Sequence, residues 1–193
     1  MTQWIPTDLA EVNYTYDGAG KLSTITTGST AYHFSYDPFA NPTGISAGGH
    51  TLVGYTYQGN NGKLASMTYG NGTTVAYTYD TLDRVSQICY TSGNGTQSGT
   101  VTYRYDKNGN LVESRDSFSG STYQYLYNQN QRLMGYYEVD SETNQILNRK
   151  VYSYDTQSRL SYEQYILNYA TSDGNTATSF LGYDYDYDNV TGA

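Results

Sequence analysis

One short pattern restricts what this chain can fold into more than any other feature. An aromatic residue, any residue, a tyrosine, and then Asp, Asn or Gln return along its whole length. The copies are Tyr14-Thr15-Tyr16-Asp17, Phe34-Ser35-Tyr36-Asp37, Tyr55-Thr56-Tyr57-Gln58, Tyr77-Thr78-Tyr79-Asp80, Tyr103-Arg104-Tyr105-Asp106, Tyr125-Leu126-Tyr127-Asn128 and Tyr152-Ser153-Tyr154-Asp155, with a last one near Tyr183-Asp184-Tyr185-Asp186. With the second tyrosine as marker, successive copies lie 20 residues apart (Tyr16 to Tyr36), then 21, 22, 26, 22, 27 and 31. So loose a period places the insertions in loops.

Ahead of each marker, apolar residues alternate, as in Val12, Tyr14, Tyr16, or Val75, Tyr77, Tyr79, or Tyr123, Tyr125, Tyr127. Period two predicts a strand with one buried face, and the polar or β-branched residues in between, such as Thr15, Ser35 and Thr78, suit a wetter second face. A turn follows the marker, seen in Asp17-Gly18-Ala19-Gly20-Lys21-Leu22, Asp80 to Val85, Asp106 to Leu111 and Asp155 to Leu160. The leading carboxylate is expected to accept hydrogen bonds from backbone N–H groups two or three residues on. The fourth position, Gly20 or Gly109 for example, should take the left-handed conformation that ends such a loop. Asn71-Gly72 and Asn94-Gly95 predict tight type I′ turns at the other end of their hairpins.

Each repeat is therefore about one hairpin. A lone hairpin cannot bury its tyrosine face, whereas hairpins paired edge to edge can. The predicted fold is all-β, tandem antiparallel β-hairpin repeats forming a continuous curved or spiralling sheet. Residues 1–11 form an N-terminal lead-in. Residues 12–193 hold about eight repeats, the last incomplete, in a single repeat domain that reads as cut from a larger protein. No stretch sustains a helical period. Glu138 to Asn148, free of glycine, is expected to form a longer hairpin loop.

Composition fits such a sheet: 25 Tyr and 20 Gly stand against 4 Phe, 3 Met and 1 Trp. Each phenol brings apolar area and a hydroxyl that needs a partner, which suits thin sheets with wet edges. Ten Lys and Arg against 18 Asp and Glu give a net charge of -8, with the cations scattered, which argues against nucleic acid as a partner. Cys89 is the one cysteine and leaves the redox compartment unread. No segment reaches the roughly 18 apolar residues of a membrane helix, and Met1 to Ala10 lacks the build of a signal peptide, so any export signal is expected outside this chain.

The Tyr-Asp steps and turns, most closely Tyr105-Asp106-Lys107-Asn108-Gly109-Asn110-Leu111, Tyr16 to Leu22 and Tyr154 to Leu160, resemble the signature of the YD-repeat or RHS proteins. That family includes bacterial RHS elements, the shell component of insecticidal toxin complexes, and animal teneurins. The resemblance implies a β-sheet shell around a polypeptide cargo such as a toxin, or a cell-surface adhesion barrel, in a secreted or bacterial cell-surface protein. It implies no cofactor. The implied partners are further repeats or a cargo domain of the parent polypeptide, with self-association through edge strands. The repeat-signature residues carry structure: Tyr14, Tyr16, Asp17, Gly20, Phe34, Tyr36, Asp37, Tyr55, Tyr57, Tyr77, Tyr79, Asp80, Tyr103, Tyr105, Asp106, Gly109, Tyr125, Tyr127, Tyr152, Tyr154, Asp155, Tyr183, Tyr185 and Asp186.

No residue is assigned a catalytic or metal-binding role. Asp37-Pro38-Phe39-Ala40 resembles an Asp-Pro-x-Gly self-cleavage site of some shell proteins, but it has Ala40 in place of Gly and sits where every repeat has its turn. Asp184, Asp186 and Asp188 alternate as in a calcium loop, but Asn189 stands in place of its glycine and no bidentate Glu follows. His33 and His50 lack partners at catalytic spacing. The Asn-x-Ser/Thr patterns at Asn13, Asn71, Asn94 and Asn189 are read as turn chemistry. The rival reading is a module binding carbohydrate or a cell-surface receptor through its tyrosines; against it, glucan-binding repeats are rich in Trp, and Trp4 stands outside the repeat register.

Overall fold

The computed structural model describes residues 11–59, 62–143, 145–170 and 176–187. Fifteen strands follow one another in the sheet in the order of the chain, and every strand pair with an assigned register is antiparallel. No helix occurs among the described residues. The chain divides into two compact units, Met1–Tyr79 with Ile88–Ser98 and Asp80–Gln87 with Gly99–Ala193.

In the first unit, β1 (Val12–Tyr16), β2 (Leu22–Thr27), β3 (Thr30–Tyr36), β4 (Pro42–Ala47), β5 (His50–Gln58), β6 (Lys63–Tyr69) and β7 (Thr74–Tyr79) form consecutive hairpins. β8 (Val85–Thr91) contributes residues to both units. The second unit continues with β9 (Ser98–Tyr105), β10 (Leu111–Asp116), β11 (Ser121–Tyr127), β12 (Leu133–Asp140), β13 (Ile146–Tyr154), β14 (Leu160–Ala170) and β15 (Thr176–Asp184). The segment expected to be a loop is mostly strand. Glu138 to Asp140 extend β12 and Ile146 to Asn148 open β13, because Glu138 pairs with Asn148 and Val139 with Ile146.

β1, β3, β7, β9, β11 and β13 end on the marker tyrosine, β5 one residue past it, and even strands begin just past the turn. The return strand carries an extra residue beside the marker. Thr15 faces Thr24 while Tyr16 faces Leu22, Ser35 faces Gly44 while Tyr36 faces Pro42, and the same one-residue shift recurs at Tyr57, Tyr127 and Tyr154. Such bulges sharpen local twist and re-aim the groups beside them.

The expectation of one buried face needs correction. Within each unit, the described strands that touch are sheet neighbours. A single layer covers its rings from the sides and not from above. Among the described residues the buried apolar side chains are Val53 and Val75 in the first unit and Val139 and Ile166 in the second, and none is completely enclosed.

The turns also differ from expectation. Type I′ geometry requires positive φ at both central residues; Asn71 and Asn94 lack it, and only Gly72 (φ 82) and Gly95 (φ 68) have it. These are wider loops of the marker-turn kind, with Gly72 N donating to Tyr69 O and Tyr69 N to Thr73 O. In the five-residue turns that follow the markers, the fourth residue is left-handed throughout, at Gly20, Ala40, Asp83, Gly109, Gln131 and Ser158. Ala40, Gln131 and Ser158 bear a strain of about 1–2 kcal/mol there. Ala40→Gly relieves it and gives back roughly 0.5–1 kcal/mol through the freer unfolded chain. Urea unfolding should show a net gain of about 0.5–1 kcal/mol for Ala40→Gly, and a loss for Gly109→Ala.

Candidate functional site

The arrangement repeated in both units begins at the turn carboxylate. Asp80 Oδ1 accepts Leu82 N at 2.8 Å and Arg84 N at 3.0 Å. Asp17, Asp37, Asp106 and Asp155 do the same with the residues two and four positions on. The third N–H, expected on the carboxylate, bonds the backbone carbonyl of the leading residue instead, as from Asp83 N to Asp80 O. The second carboxylate oxygen holds the side chain of the fifth turn residue. It receives Arg84 Nε and Arg159 Nε at 2.7 Å, and Asn41 Nδ2 and Asn110 Nδ2 at 2.9 Å.

Where it is a cation, that residue, fifth in the turn at Lys21, Arg84, Arg132 and Arg159 and sixth from Gln58 at Lys63, lies over a tyrosine ring of the following repeat. Lys21 lies over the Tyr36 ring at 5.0 Å, Lys63 over Tyr79 at 5.3 Å, Arg84 over Tyr105 at 4.4 Å, Arg132 over Tyr154 at 5.7 Å and Arg159 over Tyr187 at 4.3 Å. Five marker hydroxyls reach a carbonyl at the start of the preceding return strand. Tyr36 donates to Leu22 O, Tyr57 to Pro42 O, Tyr79 to Leu64 O, Tyr105 to Val85 O and Tyr154 to Leu133 O, all at 2.7–2.9 Å. Carboxylate, cation, ring and carbonyl come together as a complete latch between consecutive hairpins at Tyr36 and Tyr105, while Tyr57, Tyr79 and Tyr154 keep the ring-to-carbonyl part of it. In the last repeat the ring under the cation is Tyr187, two residues beyond the expected marker Tyr185, whose hydroxyl donates instead to Glu163 Oε1 at 3.0 Å.

Asn128 shows what the carboxylate adds. Its Oδ1 still accepts Asn130 N and Arg132 N, so the turn is kept. Without an anion to grip it, Arg132 turns to Ser158 Oγ, and its guanidinium sits farther from its ring than Arg84 or Arg159 does.

Sequence reasoning missed a second polar network, in the second unit. Glu138 Oε1 accepts Ser121 Oγ at 2.9 Å and the Tyr123 hydroxyl at 3.1 Å, while its Oε2 accepts Asn148 Nδ2 at 2.6 Å. Lys150 Nζ pairs with Glu163 Oε2 at 2.8 Å. Burial, and then the Glu138 charge, push the Tyr123 phenol up. The Lys150 hydrogen bond holds the Glu163 carboxyl below its usual range. These partners lie on different strands, so only the cross-strand register could have shown them.

The remaining sequence candidates fall into structural roles or outside the described residues. Asp37 spends its carboxylate on Phe39 N, Asn41 N and Asn41 Nδ2. Asn94 Oδ1 accepts Ser92 Oγ, Thr96 N and Thr96 Oγ1. His33 Nδ1 lies 3.4 Å from Thr24 Oγ1. Asp184 pairs with Tyr162 in the β14–β15 ladder, while Asp188 and Asn189 lie outside the described residues, as does Trp4. Among the described residues no cluster of His, Cys, Asp or Glu could hold a metal ion, and no helix is long and apolar enough to cross a membrane.

A family model, Teneurin YD-shell, matches residues 1–96. No curated protein matches the chain. Among solved structures, the chain resembles a TcdB2-TccC3-Cdc42 crystal structure with a TM-score of 0.70 at 16% identity, over 89% of this chain and 10% of that one. It resembles TcdB2-TccC3 with a TM-score of 0.70 at 18% identity, again over 89% and 10%. A Photorhabdus luminescens Tc holotoxin pore gives a TM-score of 0.68 at 19% identity, over 86% and 9%. At such identities the likeness is one of fold, and the chain spans about a tenth of the chains it matches.

Two outcomes test the latch. Tyr105→Phe removes one hydroxyl bond and should lower stability by about 1 kcal/mol in urea unfolding. The second concerns acid. The carboxyls of Asp17, Asp37, Asp80 and Asp106 are held below the usual range, chiefly by the bonds from Lys21 N, the Asn41 side chain, the Arg84 side chain and the Asn110 side chain. At Asp155 burial works upward, and the Arg159 bonds outweigh it. Groups so lowered stabilise the fold above their unfolded value, about 3.9, and that stability is lost as pH falls through the folded values. Thermal unfolding midpoints should therefore drop below about pH 4, and Asp80→Asn with Asp155→Asn, built on the Asn128 pattern, should flatten that drop.

Proposed function

Taking the chain as what its repeats make it, a stretch of YD-repeat shell, we propose that it is a non-catalytic wall segment of a secreted or surface-displayed protein whose β-sheet encloses or displays a polypeptide cargo such as a toxin. The observation that carries this reading is the latch. It joins a hairpin to the one before through the marker ring and a backbone carbonyl at five markers, Tyr36, Tyr57, Tyr79, Tyr105 and Tyr154. Residues committed to joining neighbours make a wall that extends by repetition. The turn carboxylates, the groups sequence reasoning would first inspect for chemistry, are occupied by their own turns.

The Teneurin YD-shell match over residues 1–96 and the likeness to TcdB2-TccC3 structures support the same reading. The partners are then further repeats and the cargo of the parent polypeptide. The test is protease protection of a passenger segment in the parent. Protection is expected with intact repeats, and it should fall when Tyr79 and Tyr105 are both changed to Ala. A passenger cut equally fast in both forms, together with saturable binding of the isolated chain on a glycan array, would overturn the shell reading in favour of a binding module.

A further inference from the structure

The chain itself shows what its ring faces take, for Lys or Arg lies over Tyr36, Tyr79, Tyr105, Tyr152, Tyr154 and Tyr187 at 4.3–5.7 Å. Three rings of the second unit converge on one another instead. Tyr125 stands opposite Tyr136 across β11 and β12, with Tyr123 on the diagonal. The ring centres of Tyr123 and Tyr125 each lie 6.2 Å from that of Tyr136, with planes inclined to it at 65° and 48°. Together they wall an open cavity of about 170 Å³ lined by these three tyrosines alone. Two of the rings are tied at their far ends: Tyr123 donates to Glu138 Oε1 at 3.1 Å, and the Tyr125 hydroxyl shares a hydrogen bond with Ser114 Oγ at 3.2 Å. Among the described residues, none of the cations laid over rings covers these three. Lys150, opposite Tyr136 in the ladder, is drawn away, its ammonium 5.2 Å from the Tyr152 ring centre and 2.8 Å from Glu163 Oε2.

We propose that Tyr123, Tyr125 and Tyr136 form an aromatic cage for the trimethylammonium group of a choline-type ligand. This goes beyond the shell-segment reading and does not depend on any cargo. Ring faces attract a cation held within about 6 Å of their centres, and most strongly one that has shed its water. The lining decides which cation that is. A primary ammonium brings three donors and a tightly held hydration shell, and gives these up only against hydrogen-bond acceptors. The cavity offers ring faces, and the carboxylate beside it, Glu138, already accepts from Ser121, Tyr123 and Asn148. A trimethylammonium group spreads its charge over methyls and needs no hydrogen bond, so it loses least on entering. Charge agrees, since Glu138 and Glu163 outnumber Lys150 around the cage and the whole chain carries -8. The tied hydroxyls hold two of the rings in place beforehand, which leaves little side-chain freedom to lose on binding.

The experiment uses the whole chain with its tyrosine rings isotope-labelled. Choline and phosphocholine, two sources of the group, are titrated beside the neutral carbon isostere of choline, in which a tert-butyl group replaces the trimethylammonium. Both charged ligands should bind with a Kd on the order of 1–10 mM, moving the ring signals of Tyr123, Tyr125 and Tyr136 and shifting the ligand methyl signal upfield. The tighter of the two identifies the source. The isostere should bind at least about tenfold more weakly than choline, because it fills the same space without the charge. Tyr136→Leu keeps apolar bulk and removes one ring face; it should weaken choline about fivefold to thirtyfold and leave the isostere unchanged, whereas Tyr136→Phe should stay within about twofold. If Tyr136→Leu disturbs the sheet, the charged and neutral ligands compared on the unaltered chain decide alone. The proposal is overturned if neither charged ligand moves the three rings at about 100 mM, if the isostere binds as well as choline, or if the shifts fall on the cation-covered rings instead. None of these outcomes would touch passenger protection in the parent, so the two readings fail separately.

Discussion

A tyrosine at a sheet surface makes two demands that ordinary apolar residues do not: its ring needs cover and its hydroxyl needs an acceptor. In a single layer, neither can come from above. Both come from the preceding hairpin, which supplies a carbonyl for the hydroxyl and, in several repeats, a cation over the ring, as Val85 and Arg84 do for Tyr105. The bulge beside each marker belongs to this solution. The β2–β3 ladder ends at Thr24 and His33, and beyond it the carbonyl of Leu22 accepts the Tyr36 hydroxyl.

The turn is the part that aims the latch. One aspartate oxygen fixes the loop by binding two backbone N–H groups, and the other grips the side chain that will cover the neighbouring ring. Asn128 separates the two jobs, keeping the loop and losing the grip. Asn41 and Asn110 separate them differently, being gripped without offering a cation. Loop shape is thus the invariant, and the cation is an added layer of register control. The left-handed fourth residue follows from the same geometry, since the chain accepts strain at Ala40, Gln131 and Ser158 to keep it.

Much of this was legible in the sequence because its signals are local. The alternation of Tyr123, Tyr125 and Tyr127 and the Asp-to-Leu turns act within a few residues, and the strands and marker turns appear where those signals place them. What could not be read depends on which residues stand opposite each other. Glu138 meets Ser121, Tyr123 and Asn148 only through the registers of β11, β12 and β13. The last repeat shows the same limit. Local pattern favours Tyr185 as marker, but alternating Tyr and Asp from Tyr183 to Asp188 fits two registers equally well, and pairing puts Tyr187 over Arg159. The loop expected from Glu138 to Asn148 was misjudged for a related reason: freedom from glycine there reflects strand, closed by Asp140 bonding Glu142 N and Thr143 N.

A layer in which the described strands of each unit touch as sheet neighbours also explains why the period can wander from 20 to 31 residues. In a packed core, a longer loop or strand must be matched by elements on several sides. Here each hairpin answers to the one before and the one after, and the latch sits at the turn end of the strand. Length added at the far end, as in β13, β14 and β15, leaves the cation-to-ring contacts of Arg132 and Arg159 in place. Stability in such an array is close to a sum of neighbour terms, so a repeat can lose its cation, as at Asn110, without the defect spreading.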